Sequence, residues 1–187
     1  KEMTIVKIEC SDGQFIVVSY SDELHLSILE INDDDKENEG TEKNEVADFN
    51  NFVINRYEQF IAIPKCCAIS SIFKTFVVAT DDGSMQIASL KGNSSSSKQW
   101  SLSKVVDFNQ EKNKENIFMP QKILITDSLG FIVVYGKMKL SSDENESFIY
   151  VFTINGIFIR MQKIDGEVVN WAKWKSKKGF DFLTLVI

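Results

Sequence analysis

Two neighbouring stretches decide the fold: ILITDSLGFIVVYG at Ile123–Gly136, and FIYVFTINGIFIRMQKIDGEVVNWAKWKSKKGFDFLTLVI at Phe148–Ile187. Apolar runs of strand length alternate there with turn residues at Asp127–Gly130, Asn155–Gly156, Asp165–Gly166 and Lys177–Gly179. The runs are rich in aromatic and β-branched side chains, which fit a pleated, half-buried surface. Together they read as a strand meander of one and a half units.

The chain upstream repeats this pattern with looser spacing. Thr4–Cys10 alternates apolar and polar residues with the period-two signature of a strand, and Phe15–Tyr20 is a continuous apolar run, as expected of a strand buried on both faces. Leu24–Ile31 alternates again, and the intervening Ser11–Gln14 and Ser21–Glu23 are turn-rich. Phe49–Ala62 returns to sheet character, with a short helical turn around Asn50–Val53 as an alternative reading. Lys65–Ser70, Thr75–Thr80, Met85–Leu90 and Trp100–Phe108 make a second set of strands. Lys122–Thr126, Phe131–Gly136, Phe148–Ile154 and Phe158–Ile164 make a third, and Val168–Trp174 with Phe180–Ile187 opens a fourth.

Polar segments interrupt the sets. Residues 32–48 are almost all Asp, Glu, Asn, Lys and Gly, and bury too little to offset the entropy of ordering, so a disordered acidic insertion is expected there. Residues 92–98, a serine run, and 139–147 are expected to be flexible loops. Three apolar hearts align across the sets: Phe15–Val18, Phe76–Ala79 and Phe131–Val134, starting 61 and 55 residues apart. With 17 insertion residues and 10 loop residues (94–97 and 111–116) set aside, the spacings become 44 and 45. A unit of about 40–45 residues holding four strands is the size of a β-propeller blade. The expected fold is therefore all-β: one partial propeller over residues 1–187, with about three and a half WD-like, four-stranded antiparallel blades. Rings typically use about 4–8 blades, so further blades are expected outside this stretch.

The order of features in the C-terminal part resembles a known family. Gly130-Phe131-Ile132-Val133-Val134-Tyr135-Gly136 is followed by Ile149–Gly156, then Phe158-Ile159-Arg160. Trp171-x-x-Trp174-x-Ser176-x-x-Gly179-Phe180-Asp181 completes the series. It resembles the C-terminal WD-repeat propeller of BEACH-domain (beige-like) proteins, particularly the large protist ones. About the last 65 residues carry the likeness, and the rest matches only as blade pattern. The Gly-His and Trp-Asp dipeptides of standard WD blades are missing, and so is a BEACH domain. The resemblance implies a non-enzymatic cytoplasmic scaffold in vesicle and membrane traffic, peripheral to membranes, that binds other proteins and needs no cofactor.

Composition narrows the function classes. A net charge of −6 argues against nucleic-acid binding, which needs a concentrated positive face. No apolar run is long enough for a membrane-spanning helix, and no basic-then-apolar leader opens the chain. Cys10, Cys66 and Cys67 are odd in number, lack C-x-x-C spacing, and read as buried thiols in a reducing compartment. Asp35-x-Glu37-x-Glu39-Gly40 imitates the start of a calcium loop, but Val46 stands where the bidentate glutamate belongs, so a solvated loop is expected. His25, the only histidine, alternates with Leu24 and Leu26 and reads as a surface-facing strand residue with no partners for a triad or metal site. Asn93 and Asn145 head glycosylation sequons that are expected to be unused, and Ser94–Ser97 could accept phosphate. No phosphate-binding glycine loop, G-x-S-x-G elbow or H-E-x-x-H occurs, and a propeller enzyme is disfavoured because the chain has a single His and no cluster of acidic, histidine or metal-binding residues. The candidate contact site is Trp171, Lys173, Trp174, Lys175, Lys177 and Lys178: cations beside interfacial aromatics suit anionic lipid or an acidic partner, against the alternative of a solvated turn with buried tryptophan anchors.

Overall fold

The alternation of apolar runs and turns builds fourteen strands and no helix among the described residues. The computed structural model describes residues 5–11, 15–20, 26–31, 52–57, 62–91, 99–109, 117–140 and 145–187, with side chains described from residue 62 onward except Gln99. The acidic insertion at 32–48, His25, the loop at 92–98 and the serines within it lie outside the described residues.

The strands are β1 (Ile5–Ser11), β2 (Phe15–Tyr20), β3 (Leu26–Ile31), β4 (Phe52–Tyr57), β5 (Pro64–Ser70), β6 (Thr75–Thr80) and β7 (Ser84–Lys91). They continue as β8 (Gln99–Asp107), β9 (Ile117–Ile125), β10 (Ile132–Lys139), β11 (Asn145–Phe152), β12 (Phe158–Ile164), β13 (Asn170–Lys175) and β14 (Asp181–Val186). Within each sheet the strands pair antiparallel with their sequence neighbours, giving three four-stranded sheets, β1–β4, β5–β8 and β9–β12, and a two-stranded sheet, β13–β14. The architecture is all-β and propeller-like, and the sheets do not close a ring.

The three full sheets are equivalent in detail. The apolar hearts fall on β2, β6 and β10, the second strand of each sheet, with Phe131 immediately before β10. Each first strand also carries a one-residue bulge opposite the end of the apolar heart on the second strand, which leaves Val6, Lys65 and Gln121 unopposed. A bulge bends its strand and increases local twist, so its recurrence at one place gives each sheet the same curl.

The sheets stack face to face and splay outward. β5 lies against β1 and β2, and β9 against β5 and β6, so the first strands converge. The gap between the second and third sheets is a wedge, and side-chain volume follows it. Near the convergence the second sheet offers Cys66, Ala68 and Ala79, opposite Ile123, Ile125 and Ile132. Further out the same interface is filled by Phe148, Phe152 and Phe118, with Phe108 and Tyr150 packed against them. Cys66 and Cys67 are buried thiols on opposite faces of β5, in the cores on either side of the second sheet.

Phe118 comes from the first strand yet reaches the outer aromatic cluster, with its ring centroid 4.6 Å from Tyr150 and 5.0 Å from Phe108. Gly136 on β10 makes this reach possible. A Cβ at Gly136 would press on the Met119 carbonyl oxygen and lie 2.5 Å from Cζ of Phe118. The missing side chain is the space into which the Phe118 ring folds.

Several boundaries differ from the sequence reading. β9 begins at Ile117, five residues earlier than expected, because Pro120 disguised its start. A proline is tolerated there because β9 is an edge strand of its sheet. Phe52 and Val53 belong to β4, so the alternative of a helical turn at Asn50–Val53 does not hold for them. Of the expected loop at 139–147, Lys139 ends β10 and Asn145–Ser147 open β11, so only the middle lies between strands, and residues 141–144 are outside the described residues. Cross-strand pairing of Lys139 with Asn145 and of Met138 with Glu146 carries both strands outward past their apolar cores.

Gly136→Val is expected to destabilise the protein by about 1–3 kcal/mol, the usual cost of overpacking a filled core. Urea denaturation followed by intrinsic fluorescence would measure it; a variant as stable as the native chain would show that Phe118 does not need the space.

Candidate functional site

The Lys–Trp stretch forms the β13–β14 hairpin, and strand alternation divides its residues between two faces. On the inner face, Trp171 is half-buried and packs with Leu183 and Leu185 against Leu124, Val133, Tyr135, Ile149 and Val168. Lys173 also points inward: its Nζ pairs with Asp127 Oδ1 at 2.6 Å and donates to the Ile125 carbonyl at 3.2 Å. On the outer face, Trp174 stacks on Phe182 with centroids 4.3 Å apart and donates from Nε1 to Thr184 Oγ1. Lys175 shares the side of β13 that carries Trp171 and Lys173 but is exposed at the strand end, where it pairs in register with Asp181, and Lys177 and Lys178 occupy the exposed turn before Gly179. The expected cluster therefore separates into an anchoring part, Trp171 and Lys173, and an exposed part, Trp174, Lys175, Lys177 and Lys178.

Further polar ties hold the hairpin to the third sheet. The Ser128 amide donates to Asp181 Oδ2 at 2.7 Å, and the Ser128 hydroxyl reaches both the Gly179 carbonyl and Asp181 Oδ1. Lys122 Nζ donates to the Val169 carbonyl, and Lys137 pairs with Glu167 at 2.8 Å. The fully buried Tyr135 hydroxyl accepts the Val168 amide at 3.0 Å, a buried aromatic using its polar handle. Burial works to raise the Asp181 carboxyl pKa, but hydrogen bonds from Ser128, Thr126 and the Leu129 amide outweigh it and hold the group below the usual carboxylate value. A cavity of about 360 Å³ lies beside these ties, between Leu129, Phe131, Phe180 and Lys178. The polar groups at its wall are largely engaged with one another.

A larger feature escaped the sequence reading. Between the outer strands of the second and third sheets runs an open groove of about 820 Å³. Its walls are Val106 and Phe108 on one side and Tyr150, Phe152, Phe158 and Met161 on the other. Phe158 is 55% exposed and Met161 47% exposed, while Phe152 is buried, so the groove grades from a packed floor to an open rim. The β11–β12 turn closes one end, where Lys104 Nζ donates to the Gly156 carbonyl at 2.9 Å. Gly156 has φ +71°, and a Cβ there would lie 2.7 Å from Ile87, so the turn is seated directly on the second sheet. The one sequence signal for the groove was the alternation Phe148, Tyr150, Phe152, which puts three rings on one face of β11.

Chemically, this arrangement offers a wall of apolar side chains with a polar margin from Lys104, Asp107 and Asn109. Its charged lining groups are Lys104, committed to Gly156, and Asp107, whose Oδ1 accepts the Asn109 amide. Among the described residues no group of three or more His, Cys, Asp or Glu side chains could hold a metal ion. Comparison with protein-family models and with curated proteins finds no match to the chain.

The Asp181 ties carry a pH dependence with a definite sign. A depressed carboxyl pKa adds stability above the unfolded value, about 3.9, and that contribution is lost as pH falls through the folded value. Asp181→Asn is expected to be less stable than the native chain at pH 7, with the difference shrinking below pH of about 4. Urea midpoints measured from pH 7 to pH 3 would show this; a constant difference would mean that the carboxylate charge is not what ties the hairpin.

Proposed function

We propose that the chain is part of a non-enzymatic protein-interaction scaffold, a rigid stack of sheets whose grooves and turns receive partner proteins. More particularly, we read it as part of the WD-repeat propeller of a BEACH-type protein acting in vesicle and membrane traffic on the cytoplasmic side. The observation that carries the scaffold reading is the open, aromatic-walled groove between the second and third sheets, at whose margin Lys104 donates to the Gly156 carbonyl and Asp107 accepts the Asn109 amide. Grooves that combine aromatic walls with a polar margin suit recognition of side chains, and the packed sheets around this one supply its rigidity. The finer assignment is supported by the ordered series from Gly130 to Asp181.

A second reading has one observation in its favour: Lys175, Lys177 and Lys178 are exposed on the same hairpin as Trp174, which is 51% exposed. Cations beside an exposed indole suit an anionic membrane surface. Co-sedimentation with phosphatidylserine vesicles is expected to fall with Lys177→Glu and Lys178→Glu if this reading holds, and to be unchanged if the turn is merely solvated.

Affinity capture from cytosol with the full-length parent protein tests the main reading. Recovery of membrane-traffic components is expected, and recovery of none of them would count heavily against it. Turnover of a generic hydrolase substrate, with or without divalent metal, would replace the scaffold with an enzyme.

A further inference from the structure

We propose that the outer edge of β12 is a docking strand for an extended segment of a partner protein that alternates apolar and acidic residues. The inference rests on the scaffold reading and gives it a site. β12 is the outermost strand of its sheet: it pairs with β11 on one side and with no described strand on the other. Alternate backbone amides and carbonyls along it therefore face outward, an edge that an added strand can satisfy.

The side chains make the edge receptive on both faces. Toward the groove stand Phe158 and Met161, and beyond them the apolar walls of Phe108 and Tyr150. An added strand would place every second side chain over this groove. The groove is continuous with the core between the second and third sheets, since Phe108 and Tyr150 pack directly on that core. On the opposite face Arg160 is exposed, and its described hydrogen bond goes to Gln162 within the same strand. No described carboxylate forms an ion pair with it.

Charge chooses the occupant. Phe158–Ile164 carries Arg160 and Lys163 and no acidic residue, in a chain whose net charge is −6. Lys163 is paired with Glu146, which leaves Arg160 as the cation with unmet demand. A second copy docking its β12 edge to edge and antiparallel offers Arg160 no carboxylate in any register, because the strand carries none, and the register that sets Arg160 opposite itself places like charges together, which is destabilising. An acidic residue beside Arg160 instead makes a charge-assisted hydrogen bond. The bulge at Ile159 confines regular pairing to Arg160–Ile164 and adds a second barrier to a symmetric edge contact.

The test is fluorescence anisotropy of the full chain with a labelled peptide of alternating leucine and glutamate, of the seven-residue length of β12. Saturable binding is expected. Arg160→Glu and Met161→Lys, each checked for native circular dichroism, are expected to weaken it by about tenfold or more. Arg160→Glu should in turn gain affinity for the matching leucine–lysine peptide. N-methylation of one alternate set of peptide amides should abolish binding, and methylation of the other set should not, because only one set faces β12. The proposal is overturned by absence of saturable binding, by equal binding of the lysine peptide to the native chain, or by indifference to methylation of either set. A protein that ignores the peptide yet still captures traffic components loses the β12 site and keeps the scaffold reading. Peptide binding without such capture keeps the site and removes the trafficking assignment.

Discussion

Sheets that converge at their first strands and separate at their last must fill a wedge, and the rest of the structure depends on how that wedge is packed. Interiors are close-packed, and voids cost the contacts their walls would have made. A uniform set of side chains would either collide near the convergence or leave a gap at the rim. The second and third sheets avoid both by grading from Cys66, Ala68 and Ala79 outward to Phe108, Phe148, Tyr150 and Phe152. Gly136 belongs to the same solution: by giving up its side chain it lets Phe118 lean from the first strand into the outer cluster.

The two interfaces on either side of the third sheet are built differently. Between the second and third sheets the contact is mainly apolar, with the Lys104 bond to Gly156 reaching across at the outer turn. Between the third sheet and the β13–β14 hairpin, an apolar patch around Leu124, Tyr135 and Val168 is ringed by polar ties from Lys122, Ser128, Lys137 and Lys173. A hairpin of two strands offers less apolar surface than a full sheet, and directional bonds at its margin fix how it sits. Exposed ion pairs contribute only about 0–1 kcal/mol each, so these ties fix orientation more than they add stability. Tyr135 is the exception, because its hydroxyl satisfies a buried amide that would otherwise be costly to leave unpaired.

The groove follows from the same geometry. Aromatic residues large enough to fill the outer wedge cannot all be covered at its open end, so Phe158 and Met161 stay partly exposed beside an unpaired strand edge. Packing demand and binding capacity are here two consequences of one splay angle.

Strand number, strand order and the equivalence of β2, β6 and β10 were legible in the chain, because period-two alternation and turn residues act locally and need no partner to be read. The alternation in Phe148, Tyr150 and Phe152 even marked which side of β11 carries rings. The start of β9 was not legible, since Pro120 argues against a strand until its edge position is known. Nor could the sequence divide the Lys–Trp stretch: Lys173 and Lys175 look alike in a row, and only the stacked third sheet gives Lys173 the Asp127 carboxylate and the Ile125 carbonyl. The groove is likewise a property of two sheets seen together. Its walls, Phe108 and Phe158, are fifty residues apart, and their meeting is decided by the way whole sheets pack, which no local pattern encodes.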